Sequence, residues 1–374
     1  MNGKQNYLLY WIKEFNMLSI LDRYILKKFL STFFFMMVLI MGLAVVFDVS
    51  EKLSEFIQNK APLDAIVFDY YFNFILYYGN MFSSMIIFIS VIWFTAKMAQ
   101  ETEIIPIWFS GRSVYRFLRP YVLGATVLMI ISLFLNHFII PRANKSRLAF
   151  EEKYYRDGMY IKDYHAEFPG NEAVYYSTYA SEDNVVDELV VEKWSDDRKL
   201  ISFIKAKAAQ NKRGTNQWVL SNFYERKVGK IKDEIIQSVK KDTVFQFSIE
   251  DIAQRENIAE AMTYSQLKSL IDRETKKGSE NIPNYEIELN QRTSYPFAAY
   301  ILTLIGVSVS SRKKRGGVGI NIAFGLAVVF IYIFVMKVAA VSTIKIGFPA
   351  YLAVWIPNFL FGILAIYLFK NAQK

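Results

Sequence analysis

Few residues in this chain carry the chemistry of a catalytic or metal site. Among 374 residues there are two histidines and no cysteine. The lack of cysteine excludes disulfides, thiolate-bound zinc and thiol catalysis. His137 and His165 are isolated, with no HxxxH, HExxH or carboxylate-rich ligand spacing around them. There is no GxSxG elbow and no Ser/His/Asp trio for nucleophilic catalysis. The glycines of "RGGVGINIAFG", Arg315–Gly325, lack the Gly-Lys-Ser/Thr ending of a phosphate loop. Their small size suits close packing between membrane helices.

What remains is "AQETEIIPIWFSGRSVYRFLRP", Ala99–Pro120, whose acids, apolar block and bases suit recognition. Pro106 cannot donate to the carbonyl of Thr102, so the preceding helix cannot run through it unbroken. Proline fits a first turn, so a new short helix begins near Ile105 or Pro106. Glu101 and Glu103 then lie at or just before its start, where the helix dipole favours negative charge. Ile105, Pro106 and Phe109, with Ile104 and Trp108, fall on adjacent rows as one apolar face. Gly111 can end this helix, Ser113 can cap the next, and Pro120 marks the start of the following span. Periodicity leaves two readings open. One is an interfacial helix with its aromatic face among headgroups; the other is a docking helix in a groove on a cytoplasmic partner.

The elements around this stretch are apolar runs. The chain is 53% hydrophobic and 16% aromatic, and the excess is gathered in runs of membrane-spanning length. Six spans are expected: Phe29–Phe47, Val67–Ala96, Tyr121–Ile140, Thr293–Ser311, Gly317–Val341 and Phe348–Phe369. The second is interrupted by Asn73, Gly79 and Asn80. The first run has no small-residue cleavage site behind it and reads as a retained helix rather than a cleaved signal. Residues 1–140 thus hold three spans with a short helix at about 99–112, residues 141–291 form an insert, and residues 292–374 hold three more spans.

Charge sets the expected orientation. Lys4, Lys13, Arg23, Lys27 and Lys28 precede the first span. Lys97, Arg112, Arg116 and Arg119 lie in the second-to-third loop, Arg312–Arg315 reads "RKKR", and Lys370 and Lys374 end the chain. The first-to-second loop carries Asp48, Glu51, Glu55 and Asp64 against Lys52 and Lys60. By the positive-inside rule both termini face the cytoplasm and the insert faces outward. Much of the net charge of +9 is then a topology signal, which weighs against nucleic acid as a partner.

The insert alternates in short stretches: "AVYYSTYA", "ELVVEKW", "KLISFIKAKAAQ", "QWVLSNFYERK" and "DTVFQFSI", separated by turn residues. They predict an all-β sandwich or jelly roll. Helical pieces are expected on either side, "KSRLAFEEKYYRD" before and "TYSQLKSLIDRETKKG" after.

Together, "LDRYILKKF" (Leu21–Phe29), the Ala99–Pro120 stretch, the β insert, "RTSYP" and "GFPAYLAVWIP" resemble the LptF/LptG family of lipopolysaccharide-export permeases. The most specific part is Glu103-Ile104 followed by Ser110-Gly111-x-Ser113-x-x-Arg116, similar to that family's coupling-helix signature. The insert matches at Leu189, Trp194, Leu200, Ile204, Ala206, Ala208, Trp218 and Leu220. "LDRYI" leans toward LptG.

The resemblance implies a fold of six transmembrane helices, three and three, around a periplasmic jelly roll. It also implies an inner-membrane exporter subunit that binds no cofactor itself. ATP and Mg would sit on a cytoplasmic LptB-like ABC ATPase dimer. Further partners would be a homologous second permease, an LptC/LptA-like periplasmic bridge and lipopolysaccharide. Glu101, Glu103, Ile104, Ile105, Trp108, Gly111, Arg112 and Arg116 would form the ATPase-coupling site, with Glu103 contacting the ATPase. The family often has a base near the outer end of the first span for lipid A phosphates, where this chain has Asp48. The nearest base is Lys52, about one turn on, and Lys337 and Lys345 are other candidates for that contact.

Three other classes make different demands. An ABC-type mechanotransmission or efflux subunit would divide its spans one and three. An envelope-lipid enzyme would need a polar catalytic cluster at one membrane face. An assembly scaffold would need no coupling helix.

Overall fold

The computed structural model describes residues 19–372, except 110–113, 156–159, 169–170, 181–183, 213–214, 230, 253–255, 278, 280 and 312–316. Among these, six helices are long and apolar enough to cross a membrane, with an antiparallel β region between the third and the fourth. The chain is an α-helical membrane protein with an inserted all-β domain. It divides into two compact units. One holds the described residues up to Asp48, Ile75–Ile139 and those from Asn290 on; the other holds Val49–Phe74 and Ile140–Leu289.

The helices outrun the apolar stretches that predict them. Helix α1 (Ile20–Gln58) has 39 residues and rises roughly 58 Å at 1.5 Å per residue. The hydrocarbon layer needs about 30 Å, so the charged turns at both ends continue the helix beyond it. The second span comprises a π-helical turn at Ile66–Tyr71, α2 (Phe72–Met81) and α3 (Ser83–Gln100). The ladder carries through the join, from Phe82 N–H to Tyr78 and from Ile86 N–H to Phe82.

The short helix α4 (Ile104–Phe109) leads to α5 (Val114–Phe134), which contains Pro120 rather than starting there. A π-helical turn at Leu135–Ile139 joins α5 to α6 (Ile140–Tyr154). The expected separate helix after Lys145 is therefore the continuation of the third span. Pro141 does not end it: the proline leaves the His137 carbonyl without its usual donor, and π-type pairing in that turn offers another. After the β domain come α7 (Tyr264–Lys277), α8 (Ile282–Ser310), α9 (Gly317–Ile346) and α10 (Ile356–Ala372).

Small residues and sparing hydrogen bonds hold the membrane helices together. A Cβ on Gly124 would lie 2.4 Å from the Phe29 ring, and one on Gly325 2.4 Å from Ile92. Gly325 belongs to the glycine-rich run, so at that end the run is a packing surface. Gly319, in the same run, faces open space. Across helices, the Tyr332 hydroxyl donates to Asn358 (2.8 Å), which donates to the Ser294 carbonyl (2.9 Å). Asn80 donates to Asn136 (2.7 Å), which donates to the Arg292 carbonyl (3.2 Å). Such bonds join spans where lipid offers no alternative partner.

The β domain is one six-stranded antiparallel sheet with strands in sequence order. They are β1 (Tyr160–Phe168), β2 (Glu172–Ala180), β3 (Val185–Trp194), β4 (Leu200–Asn211), β5 (Gln217–Lys227) and β6 (Glu234–Val244). The order is a meander; the described strands make no Greek-key crossover of a strict jelly roll. Val186, Leu189, Ala206, Ala209, Trp218, Leu220 and Phe223 form its core. Buried positions change parity midway along β3 and β5, where Glu188 and Asn222 have φ of 53° and 49°. Left-handed residues there keep one face apolar while the strands bend.

Beyond β6 the chain leaves the ladder and lays Phe245, Phe247, Ile249 and Ile252 over this core. The Trp218 indole donates to the Phe247 carbonyl (3.1 Å) and the Tyr176 hydroxyl to that of Ile252 (2.7 Å). "DTVFQFSI" is thus mostly a covering segment, with alternation because one side faces the core. Two of the recurring apolar positions, Trp194 and Leu200, lie at strand ends and are less buried than Leu189 or Trp218.

The packing separates two glycines. Gly124→Ala is expected to lower stability by about 1–3 kcal/mol through overpacking against Phe29, while Gly319→Ala should cause little change. Thermal unfolding of the detergent-purified full chain measures both; equal effects would refute the close packing at Gly124.

Candidate functional site

The junction between the second and third spans begins where α3 ends. Thr102 takes a left-handed conformation, φ 61°. Its N–H bonds back to Ala99 (3.3 Å) and that of Glu103 to Met98 (2.9 Å). This pair of bonds is a Schellman ending, usually built on glycine. The turn redirects the chain, and α4 starts immediately with Ile104. Pro106 is its third residue. The first N–H groups of a helix have no intrahelical acceptor, so the proline removes no bond there.

Helix α4 has two apolar sides rather than one. Ile104 is 2% exposed, in a cluster with Ile25, Phe29, Met98 and Phe117, and Ile107 packs against that cluster. Ile105 is 44% exposed and Phe109 87%. Residues one and five of a helix share a row, as do one and four, so Ile104 with Ile107 and Ile105 with Phe109 define the two sides. Trp108 belongs to α4, but its side chain, with Gly111 and Arg112, lies outside the described residues. Arg116 is half-buried in the first turn of α5.

Glu103 is engaged within the chain. Its carboxylate accepts hydrogen bonds from the Tyr24 hydroxyl (3.0 and 3.1 Å) and from Lys28 Nζ (3.0 and 3.1 Å). Lys28 Nζ also lies 4.5 Å from the centre of the Tyr24 ring. Both donors come from α1, one helical turn apart. The start of α1 is fixed by a reciprocal cap: the Ser19 N–H donates to the Asp22 carboxylate and the Asp22 N–H to the Ser19 hydroxyl. Asp22 caps, Tyr24 and Lys28 hold Glu103, and Ile25 and Phe29 enter the core. Asp22, Tyr24, Ile25, Lys28 and Phe29 of "LDRYILKKF" therefore each have a structural task. Sequence reasoning singled out this motif but did not connect it to Glu103, which lies 79 residues from Tyr24 and 75 from Lys28. Glu101 sits at the end of α3, 3.9 Å from Lys97 in an exposed pair.

The candidate phosphate-binding lysines stand apart from this junction in sequence and in setting. Lys52, near the end of α1, donates to the Tyr70 hydroxyl. Its ammonium lies 5.0 and 4.6 Å from the ring centres of Tyr70 and Tyr155. Lys337 and Lys345 are exposed on α9. His137 is 3.4 Å from the Thr293 hydroxyl, and His165 stacks on Tyr175 at 4.1 Å. No group of three or more potential metal ligands occurs among the described residues.

The turn at Thr102 stores strain, because a β-branched residue is disfavoured in that conformation by about 1–2 kcal/mol. Thr102→Gly should raise stability by up to about 1 kcal/mol after the extra chain entropy of glycine. A lowered melting temperature of the purified chain would mean that the Thr side chain stabilises the turn by other means.

A family model described as "Lipopolysaccharide export system permease LptF/LptG" matches residues 23–371. No curated protein matches the chain. The family match runs from the α1 motif through all six spans and the β domain. The chain belongs to the LptF/LptG family: it is a lipopolysaccharide export permease, a multi-pass inner-membrane transport subunit of the Lpt complex.

Proposed function

We propose that this permease is half of an ATP-driven exporter that draws lipopolysaccharide from the inner membrane and passes it to a periplasmic bridge. ATP and Mg are bound and hydrolysed by a cytoplasmic ABC ATPase dimer, and a homologous permease completes the membrane cavity. Both termini and the α3–α5 junction lie in the cytoplasm, with the β domain in the periplasm. The distribution of Lys and Arg in the sequence supports this orientation.

One observation carries the reading. Helix α4 joins two membrane helices, buries Ile104 in its own chain and turns Ile105 and Phe109 outward. An exposed apolar pair on a short, anchored helix suits insertion into a groove. Closure of the ATPase dimer would then move α4, and α3 and α5 with it. Glu103 borders this contact, while Ile104 anchors it from behind. Contact with lipid A phosphates is assigned to Lys337 and Lys345, both exposed on α9. The Lys52 ammonium is already taken up by Tyr70 and Tyr155.

Purification of the tagged protein in mild detergent should yield an ATP-binding subunit and a second permease. Ile105→Asp with Phe109→Asp should reduce the copurified ATPase about tenfold or more, as expected for loss of buried apolar anchors. The permease itself should keep its yield and melting temperature. If the ATPase copurifies undiminished, α4 is not the docking element; if none copurifies with the unaltered chain, the coupling model itself fails.

A further inference from the structure

The Glu103 carboxylate faces two demands, and the geometry points to one that a coupling helix by itself would not require. Both of its oxygens lie within 3.0–3.1 Å of both the Tyr24 hydroxyl and Lys28 Nζ. Side-chain exposure is 31% for Glu103 and 31% for Lys28, so the cluster is half-shielded rather than a loose surface pair. Directly beside this polar row is an apolar one: Ile25 and Phe29 of α1 share a buried cluster with Ile104. Two adjacent residues of the junction, Glu103 and Ile104, therefore meet two adjacent rows of the same helix. A polar and an apolar contact side by side fix orientation as well as distance.

We propose that Tyr24 and Lys28 are positioning residues that yoke the α4 junction to α1, so that movement of α4 is passed to the first membrane span as well as to its neighbours in sequence. The proposal rests on α4 being the docking element. Helix α1 is unbroken from Ile20 to Gln58, so a displacement at its first two turns bears on the membrane-spanning turns that follow. The carboxylate supplies the polar half of the contact: it accepts from a hydroxyl and an ammonium that approach from one helix face. A neutral amide at 103 would keep the size but weaken the ammonium contact. A partner cation reaching for the same carboxylate would have to share it with Lys28 or displace it, which makes the yoke sensitive to docking.

The chain has no cysteine, so cysteines introduced into it label at defined sites when it is labelled before the ATPase is added. Spin labels at Val38→Cys on α1 and Ile130→Cys on α5, both exposed positions, report the distance between the two helices. In the complex with its ATPase, that distance should change when a non-hydrolysable ATP analogue is added. Tyr24→Phe with Lys28→Met should retain the ATPase but lose at least about half of the change. The exchange Lys28→Glu with Glu103→Lys should recover more of it than either single reversal. An undiminished change in the Tyr24→Phe, Lys28→Met variant would overturn the proposal. A second arm needs no ATPase: in the permease alone, Lys28→Met and Glu103→Gln should shift the melting temperature less together than the sum of their separate shifts. Additive shifts would show that the two side chains are not coupled, whatever becomes of the docking model.

Discussion

In hydrocarbon every backbone N–H and C=O must find its partner within the chain, and this constraint decides where the protein is stiff and where it turns. The long helices tolerate Pro120 and Pro296 inside them, and a π-helical turn precedes Pro141. A break with a left-handed residue occurs instead at Thr102, beyond the apolar part of α3. There the Met98 and Ala99 carbonyls at the end of α3 are met by the N–H groups of Glu103 and Thr102. The junction is tightly specified even though it lies between elements. Its left-handed threonine is a local strain that the flanking bonds hold in place.

The contacts at this junction differ in strength, and the difference assigns their roles. Burying Ile104 almost completely stabilises the junction by about 1.5–3 kcal/mol. A half-exposed ion pair such as Lys28–Glu103 contributes about 0.2–1 kcal/mol once screening is counted. Ile104 therefore anchors α4, while Glu103 orients it. This division also explains why the acid comes first and the isoleucine second: the left-handed turn sets the two side chains on neighbouring rows of α1. A lone apolar contact would allow α4 to roll about it; the carboxylate, held by two donors, opposes that rotation.

Much of the architecture was legible in the sequence because membrane spans announce themselves by length and composition alone. Span ends were less so, since α1 and the third span run on as helices through charged turns that a hydropathy reading assigns to loops. In the β domain, β2 to β5 alternate well, because each has neighbours on both sides and one face against the core. The edge strands β1 and β6 were missed. An edge strand needs no regular apolar alternation and is often charged; β6, with Lys240 and Lys241, is largely exposed. At the junction, the sequence revealed the proline, the acids and the apolar block. It could not separate Ile104 from Ile105, because helical periodicity says that two rows are apolar but not which neighbour covers each. Pro106 marked the helix start only to within a residue or two, since the helix begins at Ile104. Tyr24 and Lys28 lie 79 and 75 residues from Glu103, and no local pattern reports a partner at that distance.

The length of α4 completes the argument. Six residues are too few for a helix to persist on its own, since nucleation is unfavourable and isolated helices need about 12–15 residues even with favourable composition. Its shape must come from its surroundings: the Schellman turn on one side, and Ile104 and Ile107 against the α1, α3 and α5 cluster beneath. A helix held in this way cannot slide or roll independently of the spans. An element that pushes on Ile105 and Phe109 therefore acts on the membrane helices directly, because α4 has too little structure of its own to absorb the movement.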